Sequence, residues 1–176
     1  MSPGFTAVVF PGLDDTPVDE VAAAIGPELN AIFVFAAAKQ RYRVYRPDAP
    51  IPALNTLATV NQRDVLFVSL EGSGGASFVW PDLLPGGGLE VTLPPGFTFV
   101  GFTGGDGTAL SDLVGDASLG VIFRFDATTQ AWLTYRPGQP AFLSSFSTAD
   151  RLTGLFVVNE SGDAATLSWD EVGAMP

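Results

Sequence analysis

The chain contains one series of motifs twice, in the same order. The tetrapeptide PGFT at residues 3–6 recurs at residues 95–98, and Trp80 recurs as Trp169. The offset between the copies is 92 residues at the first motif (3 to 95) and 89 at the last (80 to 169). Between them the copies share Phe33 with Phe123, Gln40 with Gln130, Tyr45 with Tyr135, and Arg46 with Arg136. A repeat of roughly 90 residues is a whole structural unit. We therefore predict repeat 1 at residues 1–83, a linker with an additional strand at 84–94, and repeat 2 at 95–176.

The pattern inside each copy predicts strand, short helix, two strands, a second short helix and two strands. Thr16 and Pro17 precede an apolar helical stripe that Gly26 ends, whereas residues 41–45 alternate as a strand does. Strand–helix–strand segments favour right-handed crossovers between parallel strands, and short turns favour antiparallel hairpins. The predicted fold class is α+β: two tandem copies of a mixed-sheet unit (β-α-β-β-α-β-β) with short helices and internal pseudo-twofold symmetry. A unit this small is marginal alone, so we expect the copies to be docked or fused into one body.

The linker contains an additional strand signal. Leu89, Val91 and Leu93 alternate with polar residues, which is typical of a strand with one buried face. Repeat 1 has no equivalent segment. We therefore expect its sheet to lack one neighbour or to borrow it from another molecule, with residues 5–10 near the contact. The predicted partners are neighbouring repeats or further copies of the chain.

Composition excludes several classes of function. The net charge of −11, from 19 acidic and 8 basic residues, disfavours nucleic acids and anionic membrane surfaces. No apolar run is long enough to span a membrane, so no membrane insertion is expected. The chain has no Cys and no His, and we predict no cofactor and no metal. Asp14, Asp15 and Asp106 lie in short acidic turns that could bind Ca²⁺, but turns that lead into helices explain them better.

The best candidates for a ligand platform are aromatic and arginine side chains in the two predicted hairpins. They are Trp132, Tyr135 and Arg136 in repeat 2 and Tyr42, Tyr45 and Arg46 in repeat 1. Strand alternation places Trp132 with Thr134 on one face and Leu133 with Tyr135 on the other. One face must be core, and we expect Trp132 and Tyr42 to be buried there. The alternative is a row of exposed rings that binds carbohydrate.

Catalysis has little support in the sequence. Without His, no Ser-based triad can form, and only paired carboxylates could act as acid and base. The pairs at residues 19–20 and 170–171 are adjacent in sequence, which suits solvated faces and helix starts better. We therefore predict that the protein is not an enzyme and that no residue is catalytic. A carboxylate-dependent hydrolase is the remote alternative.

The repeat resembles one found in large bacterial exported and cell-surface proteins, which carries a GWNLVGW opening and a W-x-x-Y-x-P centre. Here Phe5-Thr6 and Phe97-Thr98 replace Trp-Asn, and the centre is best kept at residues 132–137. The resemblance implies a non-catalytic extracellular structural or interaction module that acts in spacing, adhesion or self-assembly. The alternative is a carbohydrate- or peptide-binding module. The first residues carry no signal-peptide pattern, so an extracellular or cell-surface location is expected from the resemblance alone.

Overall fold

The computed structural model describes residues 4–72, 76, 79–115 and 119–173, and strands dominate them. Predicted repeat 1 contains β1 (Gly4–Val9), β2 (Thr16–Pro17), α1 (Val18–Ile25), β3 (Leu29–Ala36), β4 (Arg41–Tyr45), β5 (Thr59–Val60) and β6 (Val65–Leu70). The linker contains β7 (Gly87–Leu93). Predicted repeat 2 contains β8 (Gly96–Phe102), β9 (Thr108–Ala109), α2 (Leu110–Val114), β10 (Val121–Asp126), β11 (Ala131–Tyr135), β12 (Thr148–Ala149), β13 (Thr153–Asn159) and β14 (Ala165–Glu171).

The two halves build sheets with the same strand order. The first sheet runs β1-β6-β3-β4, and the second runs β8-β13-β10-β11. All neighbouring strands are antiparallel. The hairpin registers also match, because Phe35 lies opposite Tyr42 in the first sheet and Phe125 lies opposite Trp132 in the second.

The predicted α+β class with mixed sheets is therefore wrong, and the fold is mostly β. The strand–helix–strand segment does return β3 in the same direction as β1, since both are antiparallel to β6. However, β6 lies between them, so the parallel strands never become neighbours. The helices are also minor elements, with eight residues in α1 and five in α2.

The predicted second helix of each copy is also absent from the described residues. Residues 52–54 and 141–143 form single 3-10 turns, and the short strands β5 and β12 follow them. These two-residue strands pair with β2 and β9 at the helix starts. Each second segment thus pairs with the residues that precede α1 or α2 in a separate two-stranded sheet.

The outer face of each sheet is covered by its own helix and buries an aliphatic core. In the first half this core includes Val21, Ile32 and Leu66, all fully buried. In the second half it includes Ile122 and Leu155. Each core is closed by one tryptophan against one phenylalanine, which are Trp80 with Phe10 and Trp169 with Phe102.

The inner faces of the two sheets meet through aromatic rings, which we call the aromatic layer. It consists of Phe5, Phe33, Phe35, Tyr42 and Phe67 from the first sheet and Phe97, Phe99, Phe123, Phe125, Trp132 and Phe156 from the second. Ring centroids of Phe67 and Phe125 are 4.9 Å apart, and those of Phe35 and Phe156 are 5.3 Å apart. The two halves therefore share one packed interior.

The linker strand β7 pairs with β14 and shields the second core. Leu93 and Leu167 of this pair are fully buried in that core. In the first half, residues 79–84 follow the path of the end of β14: Leu83 donates its N–H to the Pro11 carbonyl as Val172 does to that of Thr103. Within the described residues, no strand pairs with residues 79–82 as β7 does with β14.

Candidate functional site

The six predicted platform residues lie on two different faces. Tyr42 and Trp132 belong to the aromatic layer, but they lie at its margins and are 43% and 42% exposed. The expectation that these two are buried is therefore wrong, because an edge strand covers its ring from one side only. Tyr45 and Tyr135 point to the opposite face and pack on the aliphatic cores.

Arg46 and Arg136 are exposed where each edge strand ends. Their backbone N–H groups are bonded to Asn55 and Ser144, so the following loop fixes the chain here. The six side chains therefore do not form one continuous platform. Of these six residues, each half exposes one ring from the aromatic layer and one arginine beyond it.

The halves are fastened by two reciprocal glutamine contacts, which we call the glutamine clamps. Gln130 accepts the Phe5 N–H through Oε1 at 2.8 Å and donates Nε2 to the Phe5 carbonyl at 2.9 Å. Gln40 makes the same pair of bonds to Phe97, at 3.0 and 2.9 Å. Each clamp thus satisfies the backbone N–H and the carbonyl of one residue at the start of an edge strand of the other half.

Glycine makes the approach of each clamp possible. A Cβ on Gly4 would lie 2.6 Å from Oε1 of Gln130, and one on Gly96 would lie 3.0 Å from Oε1 of Gln40. Both glycines also have φ near +95°, which side chains disfavour. In the sequence, these glycines and glutamines recur between the two copies, but no role was predicted for them. A polar residue that recurs at the tip of an apolar hairpin was the available signal.

A charged network joins the halves on another side. Arg63 of the first half binds Glu171 of β14 with two hydrogen bonds of 2.7 and 2.8 Å, and the Glu171 side chain is 2% exposed. Thr103 and the Gly86 N–H also donate to this carboxylate. Burial alone would raise the pKa of Glu171, but the bonds from Arg63 and Thr103 outweigh it, so this pKa lies below its ordinary value.

A second ion pair, Arg151 with Asp82, also joins the two halves. Asp82 and Glu171 follow Trp80 and Trp169 by two residues each, so the two halves exchange charges in a reciprocal way. Arg151 also donates to the carbonyl of Val172 at 3.1 Å. Asp82 and Glu171 therefore both hold the two halves together.

The acidic turns have structural partners as well. Asp14 accepts the Gln62 N–H, and Asp106 accepts the Arg151 N–H, each at 2.8 to 2.9 Å. The side chain of Asp15 is exposed. Among the described residues, no three Asp or Glu side chains converge as a metal site would require.

One hairpin concentrates positive charge. Lys39, Arg41 and Arg43 line a cavity of about 450 Å³ together with Tyr42, Thr56 and the turn at residues 36–38. The described ion pairs involve Arg63 and Arg151 and none of these three cations. This arrangement was not anticipated from the sequence, although four of the eight cations lie within residues 39–46.

No family model, curated protein or solved structure matches this chain. No described helix is long and apolar enough to cross a membrane.

Proposed function

We propose that the chain is a non-catalytic structural and interaction module of an exported bacterial surface protein, acting through neighbouring repeats or further copies. The observation that carries this proposal is the uncovered stretch at residues 79–82. In the second half, β7 pairs with the corresponding part of β14. In the part of the chain that the structure describes, no strand pairs with residues 79–82 in this way. Val79 is 92% exposed there.

A backbone stretch that no strand covers can accept a strand from another chain. A strand with the pattern of β7, supplied by an adjoining repeat or a second molecule, has the chemistry to cover it. The glutamine clamps and the aromatic layer join the two repeats of a pair, so strand addition would build arrays from repeat pairs. This is the property that spacing, adhesion and self-assembly require.

Sedimentation velocity over a concentration series tests the proposal. We expect the mean mass to rise with concentration, and a Val79→Lys variant to remain smaller because edge lysines oppose strand pairing. The matched control is Ile51→Lys, which makes the same change at a residue that is 57% exposed elsewhere. A wild-type chain that stays monomeric throughout, or equal behaviour of the two variants, contradicts the proposal.

The second candidate is a carbohydrate-binding module, and the exposed rings of Trp132 and Tyr42 favour it. Aromatic surfaces with one wet face suit the apolar faces of sugar rings. Titration with neutral oligosaccharides, followed by amide NMR, would then shift signals of β4 and β11. Unchanged spectra at millimolar ligand would remove this candidate and leave the first untouched.

A further inference from the structure

Strand β7 lies at the outside of the second half. It pairs with β14 over seven residue pairs without a bulge, and α2 packs against β14. Among the described elements, only β14 runs alongside β7. The Leu93 carbonyl, at the end of β7, also accepts a bond of 2.9 Å from Nδ2 of Asn159. The other edge of β7 therefore keeps backbone donors and acceptors that no described strand uses.

The corresponding edges of the two main sheets are covered. Beside β4, the backbone N–H and the hydroxyl of Thr56 bond to the carbonyl and the N–H of Val44. Beside β11, Ser145 makes the same two bonds to Thr134. Within the described residues β7 has no such cover, and it lacks the lysine, proline or bulge that commonly protects an open edge. An edge of this kind can accept a strand from another chain.

The sequence of β7 suits pairing with a second copy of itself. Its last five residues read Leu-Glu-Val-Thr-Leu, so apolar and polar residues alternate symmetrically about Val91. Antiparallel pairing about a twofold axis at Val91 places Leu89 opposite Leu93 of the second copy. Glu90 then lies opposite Thr92 of the second copy. In this register apolar residues meet apolar residues, and no carboxylate lies opposite another.

Other registers are less favourable. A twofold axis at Glu90 would place the two Glu90 carboxylates opposite each other, and like charges destabilise a cross-strand pair. An axis at Leu89 would place Glu90 opposite Gly88, which has no side chain to pair with. A shift by a single residue would turn the apolar side chains of the second strand to the opposite face. The pattern of β7 thus selects the register centred on Val91.

The core beneath β7 supports the same arrangement. Leu93 is fully buried in the second core, whereas Val91 is only partly buried against it. A strand added in this register would cover more of Val91. We propose that the free edge of β7 is an interaction site for β7 of a second copy, so that the two β7–β14 pairs form one four-stranded antiparallel sheet. This site is separate from residues 79–82 and goes beyond the proposed function.

Charge changes at Thr92 test both the site and its register. The parent for these variants is the full chain with Val79→Lys, in which strand addition at residues 79–82 is opposed. Thr92→Glu places a carboxylate opposite Glu90 twice in each dimer and should weaken the dimer by about threefold to tenfold. Thr92→Lys places an ammonium group there instead and should strengthen the dimer by a similar factor. Sedimentation velocity over a concentration series measures these dissociation constants.

Thr166 provides the matched controls. It lies directly opposite Thr92 on β14, and both residues are exposed. Thr166→Glu and Thr166→Lys make the same changes of net charge one strand farther from the contact. Because salt screens charges at that separation, each should leave the dissociation constant within about twofold of the parent. Thermal midpoints establish that all four variants are folded.

A charge swap checks the register again. Adding Glu90→Lys to Thr92→Glu restores opposite charges across the contact and should return the affinity at least to that of the parent. Three results would overturn the proposal: a parent that stays monomeric up to about 1 mM, equal effects at Thr92 and Thr166, or shifts of the same sign for Thr92→Glu and Thr92→Lys.

The same measurements separate this contact from the one at residues 79–82. A monomeric parent beside an associating wild type would reject the β7 contact and leave the proposed function standing. A parent that associates as strongly as the wild type, with opposite shifts from the two Thr92 variants, would support the β7 contact and contradict the role of residues 79–82.

Discussion

Gln40 and Gln130 each bond both the backbone N–H and the carbonyl of one residue of the opposite half with a single side-chain amide. Both are exposed and have left-handed backbone conformations, with φ of 47° and 53°. Each also donates within its own turn, to Ala37 and Ala127. The turn therefore orients the amide before the halves meet, so little side-chain entropy is lost in docking.

Replacing one clamp tests its contribution. Gln130→Ala removes both bonds to Phe5 and should lower the free energy of unfolding by about 1–2 kcal/mol, because water can reach the freed groups only in part. Urea denaturation measures this. Gln139→Ala is the control, since in the described part of the chain Gln139 bonds through its backbone N–H alone. Equal effects of the two substitutions would show that the clamp contributes nothing.

The pair of Arg63 and Glu171 predicts a specific sensitivity to acid. Burial raises the folded-state pKa of Glu171, but the hydrogen bonds from Arg63 and Thr103 lower it by more. The net folded-state pKa is therefore below its ordinary value. The stabilisation from Glu171 is thus present above the unfolded-state pKa of about 4.3 and is lost as pH falls through the lower folded-state value. Glu171→Gln should cost about 2–3 kcal/mol near neutral pH, discounted for the partial exposure of Arg63.

This cost should shrink toward zero in acid, because the wild-type carboxyl then becomes neutral too. Urea midpoints near pH 7 and near pH 3 make the comparison. The control is Glu90→Gln, which removes the same charge at an exposed position of β7. A difference between wild type and Glu171→Gln that is constant with pH would rule out this linkage.

At the scale of elements, strand β8 lies so close to the first half at Gly101 that a side chain there would collide with it. A Cβ on Gly101 would lie 2.3 Å from the carbonyl oxygen of Arg63 and 2.8 Å from Cγ1 of Val9. Gly101→Ala should therefore destabilise the protein by about 2–3 kcal/mol, since backbone must move. Gly88→Ala on β7 meets nothing within 4 Å and should change stability by less than about 0.5 kcal/mol. Thermal melts that rank them equally would contradict the close contact.

Local pattern predicted much of the element list, since it follows from near neighbours in sequence. Residues 41–45 were expected as a strand, and β4 has these bounds. The faces of β11 also alternate as expected, with Trp132 on the aromatic layer and Tyr135 on the core. The position of β6 between β1 and β3 could not be predicted, because strand order depends on pairing between distant segments.

The contacts of the candidate site residues were harder to predict, because they too depend on segments that are distant in sequence. Alternation showed which residues share a face but not how far an edge strand covers its rings, so Trp132 and Tyr42 were placed too deep. The partners of Gln40, Gln130 and Glu171 lie on the other half, at separations of 57 to 125 residues. Such contacts leave no local pattern.

As a whole, the molecule should unfold in one transition. The aromatic layer belongs to both sheets, and separation of the halves would expose rings such as Phe35 and Phe67 to water. Calorimetric and van't Hoff enthalpies should then agree. Leu66→Ala in the first core should lower hydrogen-exchange protection at Ile122 in the second. Protection of Ile122 that is unaffected by this substitution would indicate two independent units.

The glutamine clamps are reciprocal: the tip of each hairpin grips the first strand of the other half. This is the relation that two identical subunits make across a twofold axis, where residue i meets j and j meets i. The interface between the two repeats of this chain therefore has the form of a homodimer interface, with the linker joining the two repeats. A chain of residues 84–173 alone has both Phe97 and Gln130, and it should form a homodimer through these two groups. Its mass by light scattering checks this, and a folded monomer at high concentration would contradict it.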